Sequence, residues 1–134
     1  MNTRWKIAGL LFVCAWFGIG GVMHFVQPQG FVRVVPPYVP LPALELVYVT
    51  GVFEVLAAVA IWVPAWRRAT GIALFIFTIC VTPANIYMSM NPQLFPNISE
   101  TALNVRLVIQ VLLLACIWWS TRDSQPQLRT SGAG

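Results

Sequence analysis

Residues 43–63 read ALELVYVTGVFEVLAAVAIWV, an apolar run interrupted only by Glu45 near its start and Glu54 near its middle. At about 1.5 Å per residue a helix of that length matches the roughly 30 Å hydrocarbon core of a bilayer, whereas buried core helices usually stop well short of it. The segment is therefore read as a membrane span, and Pro42 directly before it suits a helix start.

Three further runs of the same kind lie to either side. Residues 5–26, WKIAGLLFVCAWFGIGGVMHFV, carry no charge between Lys6 and His24. The basic start resembles a signal peptide, but the apolar stretch is too long and no small-x-small site leads into a polar chain, so a retained helix is expected. Residues 69–90, ATGIALFIFTICVTPANIYMSM, contain Pro83. Proline removes one backbone donor, which predicts a kink and leaves the carbonyl of Ile79 without its usual partner. Residues 102–120, ALNVRLVIQVLLLACIWWS, close on Trp118 and Trp119, as interfacial aromatics do. In the preceding NISE, Asn97 and Glu100 predict a capping box.

Composition agrees with this division. The chain has 134 residues, of which 58% are hydrophobic and only 9% charged, where a soluble domain carries roughly a quarter charged residues. Four spans use roughly 80 residues, which leaves no room for a separate soluble catalytic domain. The expected fold is all-α, an integral membrane four-helix bundle over residues 1–120 with a disordered polar tail at 121–134. The connection at 27–42, QPQGFVRVVPPYVPLP, is proline-rich yet apolar, and should lie on the membrane surface or fold over the bundle. The short basic PAWRRATG connection makes the second and third spans antiparallel neighbours.

The formal charge of +4 does not point to nucleic acid. Six of the eight basic residues, Arg4, Lys6, Arg67, Arg68, Arg122 and Arg129, fall on one side of the four spans, and basic loops stay cytoplasmic. Both termini are predicted inside. Cys14, Cys80 and Cys116 sit in apolar runs without metal or disulfide spacing. With a single histidine, no metal site is expected, and no resident cofactor either.

Ionisable residues within spans are costly and usually face the bundle interior or a water-filled cavity. Here they are His24, Glu54 and Arg106, with Asn85 and Gln110 as neutral companions. All five fall at the midplane or in the half away from the termini. Thr50, Gly51, Ala57 and Ala58 share the face of Glu54 at offsets of three and four, a small-residue stripe suited to close helix contact. Thr78, Thr82, Asn85 and Ser89 make one polar stripe on the third span, and Arg106 and Gln110 are an i, i+4 pair on the fourth. Glu54 must be neutral or paired, with Arg106 as the partner in reach. Two roles are open to this set at the level of sequence: glue between helices, or a ligand site made of His24, Glu54, Asn85, Arg106 and Gln110.

The run FGIGGVMHFVQPQGFVRVVPPYVPLP, followed by LVYVTGVFEVLAAVAIWVPAWRRATGIAL, VTPANIYM and NVRLVIQVLLLACIWWSTR, resembles the DoxX and DoxX-like group of small four-helix bacterial membrane proteins. The residues carrying the likeness are Gly21, His24 and Phe25, the prolines Pro36, Pro37 and Pro42, Gly51 with Glu54, Pro83 to Asn85, and Arg106 with Gln110. The resemblance implies a bacterial inner membrane location and a subunit or scaffold role in a redox or quinone-linked membrane complex, with membrane lipid, a partner subunit or further copies of the chain as partners. Two alternatives are a lipid-binding or small-molecule membrane enzyme using Glu54 as acid or base, and a minimal oligomeric transporter. A quinone or lipid is the ligand class that such a bundle would hold.

Overall fold

The computed structural model describes residues 3–122 and is helical throughout, with α1 at Thr3–Val26, α2 at Pro28–Val32, α3 at Ala43–Ala60, α4 at Pro64–Met90 and α5 at Glu100–Thr121. Helices α1, α3, α4 and α5 are each long and apolar enough to cross a membrane. The four apolar helices are compatible with a small integral membrane protein. In each 18-residue span window no more than 33% of residues are buried, so most of the apolar side-chain surface points outward, as lipid-facing helices require.

The ends of the helices follow from local chemistry. Pro64 cannot continue α3 and holds Val63 in an extended conformation, while its own missing N–H suits the first position of a new helix. Helix α4 thus begins at Pro64 rather than at residue 69, and 61–63 form a turn rather than the end of a span. The two arginines do not delay α4. Arg67 Nε donates to the carbonyl of Ile61 at 3.0 Å, satisfying an orphan acceptor just past the end of α3. At the start of α5 the cap is Ser99, whose hydroxyl accepts from the N–H of Ala102 at 3.1 Å. The expected Asn97–Glu100 box is not formed, because Asn97 lies in a turn and Glu100 is already the first helical residue.

Pro83 is contained within a continuous α4. The hydrogen bonds found beside it go to the carbonyl of Thr78, one residue before the Ile79 carbonyl that proline frees. The proline-rich connection is not wholly irregular: residues 28–32 form α2, with Pro28 at its start, before turns carry the chain to α3. Thr121 is still helical, and the polar-tail expectation for 123–134 falls outside the described residues.

Helix α1 packs along α3 and α5, α4 packs along α5, and α3 touches α4 more lightly. The start of α1 and the end of α5 meet at one end of the bundle, where Lys6 Nζ donates to the carbonyl of Arg122 at 2.6 Å. That terminal end contains the main core, in which Leu10, Val13 and Phe17 meet Ala57, Ile61, Leu74, Leu113 and Ile117. At the loop end a smaller cluster of Met88, Phe95 and Leu103 takes in Val34 of the connection.

Candidate functional site at the loop end of the bundle

Backbone proximity between α1 and α3 sets the first wall. A Cβ on Gly51 would lie 2.7 Å from the Cβ of His24, so only glycine lets the two helices approach this closely. The approach brings the buried His24 ring to the backbone of α3. Its Nδ1 lies 3.0 Å from the carbonyl of Val47 and 3.3 Å from Thr50 Oγ1. The Thr50 hydroxyl donates back to the Leu46 and Val47 carbonyls. A carbonyl accepts only, so His24 Nδ1 carries the proton and Nε2 is the bare acceptor. Phe31 from α2 stands edge-on to the imidazole, with ring centroids 4.0 Å apart.

The second wall is a clamp between α4 and α5. Asn85 Nδ2 donates to Gln110 Oε1, and Gln110 Nε2 donates to the Thr78 carbonyl at 2.8 Å and to Thr82 Oγ1 at 2.5 Å. Further out Ser89 Oγ donates to Asn104 Oδ1 at 2.6 Å. Both polar ends of the Gln110 amide are thereby used, which is how a buried amide avoids an unsatisfied donor in an apolar medium.

Between these walls lies a cavity of about 920 Å³ lined by residues of every long helix and of the proline-rich connection. His24, Glu54, Asn85, Arg106 and Gln110 all contribute to its surface. The five residues singled out in the sequence therefore share one space. Two of them do not interact as the sequence suggested. Glu54 and Arg106 form no ion pair or hydrogen bond with each other, although both face the cavity. The reason is architectural: α3 and α5 are not packed neighbours in the bundle, because α1 and α4 stand between them. Glu54 is half-buried, with Oε2 only 3.2 Å from where a Cβ on Gly20 would stand, and Arg106 keeps an exposed side chain on the opposite wall. Asn85 and Gln110 join α4 to α5 and His24 joins α1 to α3, whereas Glu54 and Arg106 have no hydrogen-bond or ion-pair partner among the described residues.

Sequence reasoning missed Phe31, Thr50 and Trp16 as parts of this site. Thr50 was visible as a member of the Glu54 face, and its polar hydroxyl within a span was the available signal. Phe31 and Trp16 gave none, since one reaches the cavity through a fold-back of the loop and the other is one aromatic among many on α1. Glu45, nine residues from Glu54, is exposed near the start of α3 and lies outside the cavity.

This arrangement can bind a molecule with a polar head and an apolar body. A guanidinium supplies up to five donors for an anion or carbonyl, Glu54 offers a carboxyl group, and His24 Nε2 an acceptor. Most of the remaining wall is aliphatic and aromatic, the usual makeup of a small-molecule site. Among the described residues, no three His, Cys, Asp or Glu side chains converge on a common point. No curated protein and no solved structure is significantly similar to the chain. Residues 13–121, which include all five of these cavity residues, match the family described as Domain of unknown function (DUF8561), and the chain belongs to that family.

Proposed function

We propose that the protein is a membrane subunit that holds an amphipathic, lipid- or quinone-like molecule in the cavity at the loop end of its bundle. One observation carries the reading: Glu54, Arg106 and His24 line a largely apolar cavity, and among the described residues Glu54 and Arg106 have no hydrogen-bond or ion-pair partner. Unpaired ionisable groups inside a membrane protein are expensive to keep and mark functional sites. The resemblance to DoxX-like proteins supports a place in a redox or quinone-linked complex of a bacterial inner membrane, with the termini on the cytoplasmic side.

Native mass spectrometry of protein purified from its own membrane in mild detergent tests this. A retained small molecule is expected on the wild type, and its occupancy should fall at least tenfold in Glu54→Gln and Arg106→Met. Equal occupancy in all three proteins, or none in the wild type, contradicts the proposal.

A second reading is favoured by the carboxyl group of Glu54, which lines the cavity and has no side-chain partner among the described residues, so that it is placed to exchange a proton with a guest. Under it, the wild type carries two related masses, substrate and product, whereas Glu54→Gln accumulates one of them. A single mass common to both proteins removes this reading and leaves simple binding.

A further inference from the structure

The cavity wall includes Phe12, Trp16 and Ile19 of α1, which are 46%, 45% and 67% exposed on the outside of the bundle. Cys80 of α4, also exposed, is part of the same wall. At about 1.5 Å per residue these α1 side chains lie roughly 10 to 21 Å below the end of α1 at Val26, at hydrocarbon depth rather than at the water interface. The cavity thus reaches the flank of the bundle where lipid tails are the solvent.

At the loop end the proline-rich connection forms a cover over the cavity, with Tyr38 as its exposed residue. Phe31 covers His24, Val35, Pro36 and Val39 continue the ceiling, and Val34 is pinned against Met88, Phe95 and Leu103. Turn hydrogen bonds from Val34 to Phe31 and from Val39 to Pro36 hold this segment in shape. A polar molecule arriving from water meets an anchored apolar cover, whereas one already in the bilayer meets an open side.

From these two features, and resting on the binding reading above, we infer that the cavity is filled sideways from the bilayer by a single-tailed amphiphile. Its head reaches Glu54, Arg106 and His24, and its tail fills the cavity as far as Trp16 at the open side, where its end meets the surrounding lipid. A volume of about 920 Å³ is near the top of the range of roughly 300–1,000 Å³ for small-molecule sites. That space accommodates a head with one chain and leaves a second chain without room.

The test uses the full chain in phosphatidylcholine vesicles containing a long-chain fatty acid with a diazirine next to its carboxyl group. After photolysis, labelled peptides are mapped by mass spectrometry. Label is expected on the cavity faces of α1 and α3, and should fall more than tenfold in Ala15→Trp and in Ala84→Trp, which plug the side opening from either wall. Ala15 is exposed and Ala84 half-buried, so two plugs at sites of different burial guard against misfolding of one, with melting curves as the check. Val34→Ala, which loosens the anchor of the cover on Met88, Phe95 and Leu103, should change labelling less than twofold, and a two-chain phosphatidic acid with the same diazirine should label at least tenfold less than the fatty acid. Wild-type labelling in both plugged variants, or a several-fold rise in Val34→Ala, overturns the sideways route while leaving binding intact. Equal labelling by the two-chain probe overturns the single-tail assignment. Absence of cavity label in the wild type overturns both this inference and the binding reading beneath it.

Discussion

At the terminal end of the bundle, a Cβ on Gly71 would collide with the side chain of Thr121, and Leu10, Val13, Leu74, Leu113 and Ile117 fill the centre with almost no exposure. At the loop end the same four helices surround about 920 Å³ of space, with His24, Glu54 and Arg106 on its walls. One half uses small residues to bring backbones together. The other also does so at Gly51, and there and at Gly20 the missing Cβ leaves room for the polar side chains of His24 and Glu54. The contrast teaches that polarity in this membrane bundle is not spread to hold it together. Its adhesive part is the neutral Asn85–Gln110 clamp, and its charged part is withheld from helix packing.

Four substitutions sharpen the contrast. Gly71→Ala should be the most damaging, because the added methyl group collides with both Thr121 Oγ1 and its Cβ; overpacking of this kind costs about 3 kcal/mol, read as a lowered melting temperature in detergent. Gln110→Leu strands the Asn85 amide and removes the donor to the Thr78 carbonyl and the Thr82 hydroxyl, which keeps its own bond to Thr78. Interhelical hydrogen bonds in membranes are worth less than their number suggests, so a loss of about 1–2 kcal/mol is expected in the same melts.

Arg122→Gln removes the guanidinium that lies 3.4 Å from the centroid of the Trp118 ring. A cation–π contact at an exposed site contributes about 0.5 kcal/mol, so its melt should shift only slightly. Glu54→Gln should sit within about 0.5 kcal/mol of the wild type, since no protein partner is lost and substitutions away from packing and networks are nearly neutral, yet occupancy of the cavity should collapse. If Glu54→Gln unfolds the protein as readily as Gln110→Leu, the division between glue and site is wrong.

Much of this was legible before any coordinates. Four spans follow from run length alone, and the candidate residues His24, Glu54, Asn85, Arg106 and Gln110 follow from their depth and helical face. What could not be read was which of them touch. Opposite charges on Glu54 and Arg106 invited a pair, but pairing depends on which helices are neighbours, and apolar periodicity on lipid-facing spans carries little information about neighbour order. Helix α5 lies against α1 and α4 instead of α3, so the attraction has no short path. The cover over His24 was equally hidden. A proline-rich apolar loop can be recognised as irregular, while the docking of Phe31 on an imidazole is a tertiary event.

Boundaries differ for smaller reasons. The span read as 69–90 begins at Pro64, and the Arg67 side chain is consumed by the end of α3. The box expected from Asn97 and Glu100 gives way to Ser99, which lies directly before the first helical residue.

A high-resolution map of the protein extracted with its native lipid distinguishes the two halves most directly. Elongated density from the Glu54–Arg106 wall as far as Trp16, beside a tightly packed terminal core, is the expected result. A collapsed loop end with a dry ion pair between Glu54 and Arg106 would contradict it.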